Sequence, residues 1–424
     1  MSLPGSPHIA YRADALFVEE CPVPELAREF GTPLYVYSRN AMLDALAGYR
    51  RALAGRDHLV CYAMKANSSL AVLQTLARAG CGFDIVSGGE LARAVAAGAD
   101  PSQVVFSGVG KSRAEMRQAL EAGVLCFNVE SEAELALLST VAVQIGRTAK
   151  VSLRVNPDVD AGTHPYISTG LRNNKFGIAH GDALAAYRHA AALPGLAVAG
   201  IDCHIGSQIT EIGPYLDALD RMLDLVESVE RHGIAVPHID LGGGLGITYA
   251  DEQPPDAETL IRTLLERIDA RGHGHRKILV EPGRSVVGNA GILVSEVLYM
   301  KPGVEKNFCI VDAAMNDLMR PAMYGAWMNI VACRRRDIEA VRCDVVGPIC
   351  ESGDWLGRDR ELAVQAGDCI AVLSAGAYCM TMASNYNSRG RAAEVMVSGA
   401  DARLIRERER ADELFRNERL LPNP

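Results

Sequence analysis

The chain has 424 residues, with 43 Lys plus Arg against 52 Asp plus Glu and a formal net charge of −9. An acidic balance excludes a dedicated nucleic-acid binder, whose affinity rests on a basic surface. With 49% apolar and 22% charged residues, the composition is that of a globular protein and excludes a disordered or fibrous one.

In chain order, Met1 to Arg12 carries no basic stretch leading into an apolar one, so no signal peptide is expected. Two short strand-like runs follow, Ala15–Val18 and Leu34–Tyr37. From residue 59 a pattern repeats: a short apolar, β-branched run, a turn, then an Ala/Leu-rich helical stretch. The apolar runs are Leu59–Ala66, Gly82–Val86, Val104–Ser107, Leu125–Val129, Lys150–Asn156, Val198–Ile205, His238–Leu241 and Lys277–Val280. Helical stretches such as Gly88–Ala97, Ser112–Ala122 and Tyr215–His232 lie between them. Strand–helix alternation implies parallel strands. Eight of them predict an α/β fold of the (β/α)8 TIM type, over residues 38–288; an open doubly wound sheet is the other arrangement of the same runs.

Beyond residue 290 the long helices stop. Gly291–Met300, Asn307–Val311, Val341–Val346, Asp368–Leu373 and Ala393–Val397 read as strands of a β-rich C-terminal domain, sandwich- or barrel-like, built from 1–37 plus 289–424. Arg403 to Leu420 alternates Arg and Glu and reads as a solvated surface helix. The longest uncharged run near the C-terminus, from Cys369 up to Arg389, is broken by Ser, Asn, Gly and Thr, so no membrane span is expected. Eleven scattered cysteines with no C-x-x-C pair fit reduced thiols and a cytoplasmic setting.

A barrel places its chemistry at the C-terminal ends of its strands. There stand Lys65, Asp84, Asn128, Asn156, His204, the Gly242–Gly244 run, and Glu281 with Arg284. Lys65 either reaches the rim as a solvated cation or is a Schiff-base nucleophile, since burial favours the neutral amine. The glycine run is either a tight turn or a phosphate cradle, in the loop after the seventh strand where barrels commonly bind phosphate. Glu281 beside such a loop makes sense if it meets the basic far end of the same ligand; a pyridine nitrogen is such a group. The bland alternative is a structural Glu281–Arg284 pair. His204 could lie flat against a ring with Ser207 donating to a phosphate, and no His or Cys spacing supports a metal site. In the second domain, Cys350 next to Glu351 lacks the electropositive setting of a reactive thiolate and could act as a proton donor. Arg320–Tyr324 and Ser384–Asn387 are polar loops.

Taken together, Tyr62–Asn67, Gly82–Glu90, Ile167–Ile178, His204–Gln208, Leu241–Ile247, Glu281–Arg284, Met315–Tyr324, Gly347–Asp354 and Gly376–Asn387 closely resemble the bacterial diaminopimelate decarboxylases, from about residue 15 to 400. The resemblance implies a pyridoxal 5'-phosphate enzyme with Lys65 bound to the cofactor. It implies Gly243, Gly244 and Ser207 at the phosphate, His204 on the ring, and Glu281 at the pyridine nitrogen. Asp84, Gly283, Arg284 and Tyr386 would adjoin the cofactor. Arg284, Arg320, Tyr324, Glu351 and Tyr386 would bind substrate, with Cys350 as proton donor from the partner of a homodimer whose subunits share active sites. The sequence departs from many relatives at Trp327-Met328. A decarboxylase of lysine, ornithine or carboxynorspermidine on the same fold is the nearest other reading. A racemase would carry Tyr-Gly-His-Gly after Lys-Ala-Asn, where this chain has Ser68-Ser69-Leu70. A non-catalytic relative would have no need of Lys65, Glu281 and Cys350 together.

Overall fold

The structure is a computed structural model that describes residues 3–160, 162, 169–170 and 174–422. It divides into two units: Leu43–Ile247 with Glu252–Val286, and Met1–Met42 with Thr248–Asp251 and Val287–Pro424.

The first unit is a closed parallel barrel. Its strands, in chain order, are β1 (His58–Ala63), β2 (Gly82–Ile85), β3 (Val104–Phe106), β4 (Cys126–Val129), β5 (Ala149–Asn156), β6 (Leu196–Asp202), β7 (His238–Asp240) and β8 (Lys277–Val280). Each pairs with the next, and β8 returns to β1 through Ile278↔His58, Leu279↔Leu59 and Val280↔Val60. All eight expected strands are present and pair in a closed ring, with the two-residue strand Ile178–Ala179 added beside the end of β5, which rules out the open sheet. Closure also explains why the runs are so apolar: parallel strands under helices are covered on both faces. Leu59, Cys61, Val105, Cys126 and Leu279 form one buried cluster from four of these strands. Burial pushes the Cys61 and Cys126 thiols well up, so they behave as small apolar groups.

The connecting helices start where their caps dictate. Ser87, Ser112, Ser131 and Asp256 each accept a backbone N–H from the first turn of the helix that follows, and Ser112 with Glu115 completes a reciprocal capping box. These caps fix where each helix begins and hence how long each strand-to-helix loop is.

The second unit is β-rich. Leu34–Ser38 pairs antiparallel with Gly291–Lys301 and parallel with Ala393–Ser398. Ile9–Arg12, Ala15–Val18 and Cys21–Pro22 form a separate three-stranded sheet. Ile9, Leu16, Val18, Leu34, Val36, Ile292, Val294, Val395 and Val397 share one buried core. The surface helix expected over Arg403–Leu420 is not formed: Asp401–Arg406 is a strand paired with Ala393–Ser398, and only Ala411–Leu414 is helical. The residues are charged because this strand lies at a sheet edge, where charge protects against further pairing.

Candidate active site

At the end of β1 the chain tightens into a 3-10 turn, Met64–Ala66, with Lys65 at its centre. Lys65 Nζ donates to Asp84 Oδ2 at 3.0 Å. The lysine side chain is 39% exposed and that of Asp84 is fully buried, so an amine open to the mouth rests on an acid held below it. Asp84 Oδ1 is also buried and has no hydrogen-bond partner. A buried carboxylate oxygen of this kind is costly unless a donor meets it.

Glu281 follows β8. Its backbone N–H donates to the Gly242 carbonyl at 2.7 Å, and its Oε1 accepts from Asn128 Nδ2 at 3.1 Å. Asn128 also donates to Ser107 Oγ at 3.2 Å. Burial pushes the Glu281 carboxyl well up, and the nearby Asp240, Asp84 and Asp202 push the same way, opposed by Lys65. Glu281 thus bonds to Asn128, not to Arg284 as the bland alternative had it. Arg284 opens the short helix Arg284–Val287, is buried, and donates from Nη2 to Ser207 Oγ at 3.0 Å.

His204 lies two residues beyond β6. Its Nδ1 accepts from the Gly243 N–H at 3.2 Å. Burial, then Arg154 and Lys65, hold its pKa well below the usual range. The ring is therefore neutral at pH 7 and, with Nδ1 accepting, carries its proton on Nε2. The loops after β6 and β7 are tied together: Ile209 N–H donates to the Gly244 carbonyl at 3.0 Å and Gly246 N–H to the Ile209 carbonyl at 2.9 Å. The Gln208 amide donates to the Ile247 carbonyl at 2.6 Å and accepts its N–H at 3.1 Å.

The glycines are demanded by this packing. A Cβ at Gly243 would stand 2.1 Å from the Glu281 carbonyl oxygen. One at Gly244, where φ is +102°, would stand 2.4 Å from the Gly206 carbonyl oxygen. At Gly283 it would meet Ala63 and Ala66 at 3.1 Å. The tight-turn reading thus holds for the run: the glycines are required by backbone packed against them.

In the second unit, three of the expected residues form one loop cluster. Tyr386 OH donates to Glu351 Oε1 at 2.6 Å, and Cys350 N–H donates to Asn387 Oδ1 at 3.1 Å. Glu351 pushes the Tyr386 phenol up. Asp354, which the sequence reading left without a role, accepts from Met315 N–H at 2.6 Å and Ile349 N–H at 2.7 Å, fixing the loop that carries Cys350 and Glu351. Arg320 is buried in the helix Met319–Tyr324, its guanidinium 4.6 Å from the Tyr249 ring centre. Tyr324 ends that helix half-buried. At the departure from the family pattern, Trp327 is covered by the Arg360 guanidinium at 3.2 Å. Residues 167, 168 and 171–173 of the Ile167–Ile178 motif lie outside the described residues.

Asp202, Asp240 and Arg154 are not among the site residues expected from the sequence. Each is a charge inside an apolar strand. That was the available signal, but only sheet register shows that they adjoin: Asp202 pairs with Asp240 on one side and Arg154 on the other.

A pyridoxal phosphate suits this donor set on two counts. The barrel mouth carries an amine at one strand end and, at another, a buried acid whose carboxyl is pushed well up by burial. Residues 40–288 match the family described as "Pyridoxal-dependent decarboxylase, pyridoxal binding domain". Fold and site therefore define a barrel-type pyridoxal-dependent decarboxylase. The chain is 58% identical over 414 residues to a diaminopimelate decarboxylase of Pseudomonas aeruginosa, covering 97% of this chain and 99% of that one. The diaminopimelate decarboxylase of Helicobacter pylori, solved in complex with L-lysine, superposes with a TM-score of 0.89 at 41% identity, covering 93% of this chain and 99% of that one. The diaminopimelate decarboxylase of M. jannaschii, also solved with L-lysine, gives a TM-score of 0.93 at 38% identity and 99% coverage of both chains. The chain belongs to the diaminopimelate decarboxylase family.

Proposed function

We propose that the chain converts meso-2,6-diaminopimelate to L-lysine and carbon dioxide with pyridoxal 5'-phosphate held by Lys65. The observation that carries the chemistry is the Lys65–Asp84 contact at 3.0 Å in the barrel mouth, with a fully buried acid beneath an accessible amine. The relatives supply the substrate, since curated proteins 55–58% identical over nearly the whole chain are diaminopimelate decarboxylases.

When bound, the cofactor supplies an electron sink for the charge left by departing carbon dioxide. The protein's own work is positional. Lys65 offers a primary amine oriented by Asp84. Glu281 would meet the ring nitrogen and keep it protonated. His204, fixed by Gly243, would face the ring without adding charge. Gly243, Gly244 and Ser207 would hold the phosphate, with Arg284 supporting Ser207. Gly283 lets the β8 end close on Ala63 and Ala66, and Asp84 would adjoin the cofactor.

Substrate recognition falls to Arg284, Arg320, Tyr324, Glu351 and Tyr386. Arginine suits the distal carboxylate of diaminopimelate and Glu351 its distal ammonium. Cys350, exposed in the second unit, returns the proton to the substrate carbon, supplied by the partner subunit of a homodimer. The cofactor part spans 38–288, and 1–37 with 289–424 would complete the active site across the dimer. The protein works in the cytoplasm; eleven free cysteines fit a reducing compartment, and no helix among the described residues is long and apolar enough to cross a membrane.

Carbon dioxide release measured with meso-diaminopimelate, L-lysine and L-ornithine side by side tests the reading. Release from meso-diaminopimelate in clear preference is expected. Equal or faster release from L-lysine or L-ornithine would replace it with a decarboxylase of basic amino acids that lack the distal carboxylate.

A further inference from the structure

Below the barrel mouth, Glu281 sits with two buried acids, Asp202 and Asp240, to which the mechanism above assigns no work. Carboxylate oxygens of Asp202, Asp240 and Glu281 lie within 4.8 Å of one another, and all three residues are at most 6% exposed. Asp240 Oδ1 accepts from the Gly242 N–H at 2.9 Å, while Asp240 Oδ2 and Asp202 Oδ1 are buried without a hydrogen-bond partner. Two carboxylates side by side have no donor between them unless one holds a proton.

The surrounding charges do not supply one. Asp84 faces the group from β2 and Glu130 from beyond β4, adding two more acids. Two cations are near. Arg154, on β5, is paired to Glu130 at 2.9 Å, and Lys65 rests on Asp84 at 3.0 Å. His204 is neutral, and the Cys61 and Cys126 thiols are pushed well up by burial. Five carboxyls, each at most 6% exposed, against two cations cannot all ionise. Burial pushes Asp202 and Glu281 well up and Asp240 up to about 6.

We propose that Asp240 is a positioning residue: it shares one proton with Glu281, and carries that proton once Glu281 faces the ring nitrogen. Arg154, the register neighbour of Asp202, offsets the charge on Asp202. Asp240 then donates a hydrogen bond that aims the Glu281 carboxylate and leaves its other lone pairs for the cofactor. This rests on the reading that Glu281 meets the ring nitrogen.

Infrared difference spectra of the holoenzyme at neutral pH test it, together with cofactor affinity measured without substrate. The wild type should show the C=O stretch of a protonated carboxylic acid, and Asp240→Asn should lose that band. The Asn variant keeps a donor and should bind cofactor nearly as well as wild type, whereas Asp240→Leu should bind about tenfold more weakly. The same spectrum in wild type and Asp240→Asn would overturn the proposal, whether or not the Leu variant folds. Glu281→Gln loosening the cofactor while both Asp240 variants bind as wild type would sink this inference alone. Glu281→Gln binding as tightly as wild type would sink the reading beneath it.

Discussion

Arg154 and Glu130 form an ion pair with side chains only 9% and 2% exposed, and Glu130 Oε2 also accepts from the Gly177 N–H at 2.8 Å. Removing the arginine leaves a carboxylate stranded in low dielectric beside Asp202. Arg154→Met should therefore lower unfolding free energy by about 3–5 kcal/mol, read as a shift in the urea midpoint. A loss below about 1 kcal/mol would mean the pair is solvated and worth no more than a surface bridge. At this scale, Lys65, Asp84, His204 and Glu281 were legible in the sequence because each is polar where an apolar run stops. Arg154, Asp202 and Asp240 were not, because a single charge within a strand says nothing of which strand lies next to it. The contact of Arg284 with Ser207 joins residues 77 positions apart, and no local pattern carries that.

The eight barrel strands were legible as elements, since covered parallel strands are continuous β-branched runs. Strands of the second unit were harder. Trp355–Leu362 and Asp401–Arg406 carry Arg, Asp and Glu on solvated faces, and their charge reads as helix or loop. Ile330–Ala332 is too short to show a period. The paired loops after β6 and β7 make a prediction of their own. A Cβ at Gly243 must displace the backbone of Glu281, which no side-chain motion can relieve. Gly243→Ala should cost about 1–3 kcal/mol of stability and weaken cofactor binding as well. By contrast, Gly213→Ala, in open space at the start of the helix Gly213–Arg231, should be close to neutral. Equal effects at the two positions would show that the loops have slack and that the glycines are not held by packing.

For the molecule as a whole, the buried acids link folding to pH. Asp240 is held at about 6 in the fold, chiefly by burial, against ~3.9 in an unfolded chain. The folded state thus binds more protons between those values, and this contribution to stability is lost as pH rises from ~4 through about 6. Asp240→Asn has no such proton to lose. Without cofactor, its unfolding free energy relative to wild type should climb by about 2–3 kcal/mol from pH ~4 to ~7. A flat difference across that range would mean the carboxyl is not strained by folding.

The central claim concerns one amine among seven lysines. Sodium borohydride reduction of the cofactor-loaded protein, followed by peptide mapping, tests it most directly. The account predicts the pyridoxyl mass on the peptide that contains Lys65 and no other. The mass on any of the other six lysines, or no labelled peptide from protein that has bound the cofactor, would contradict it.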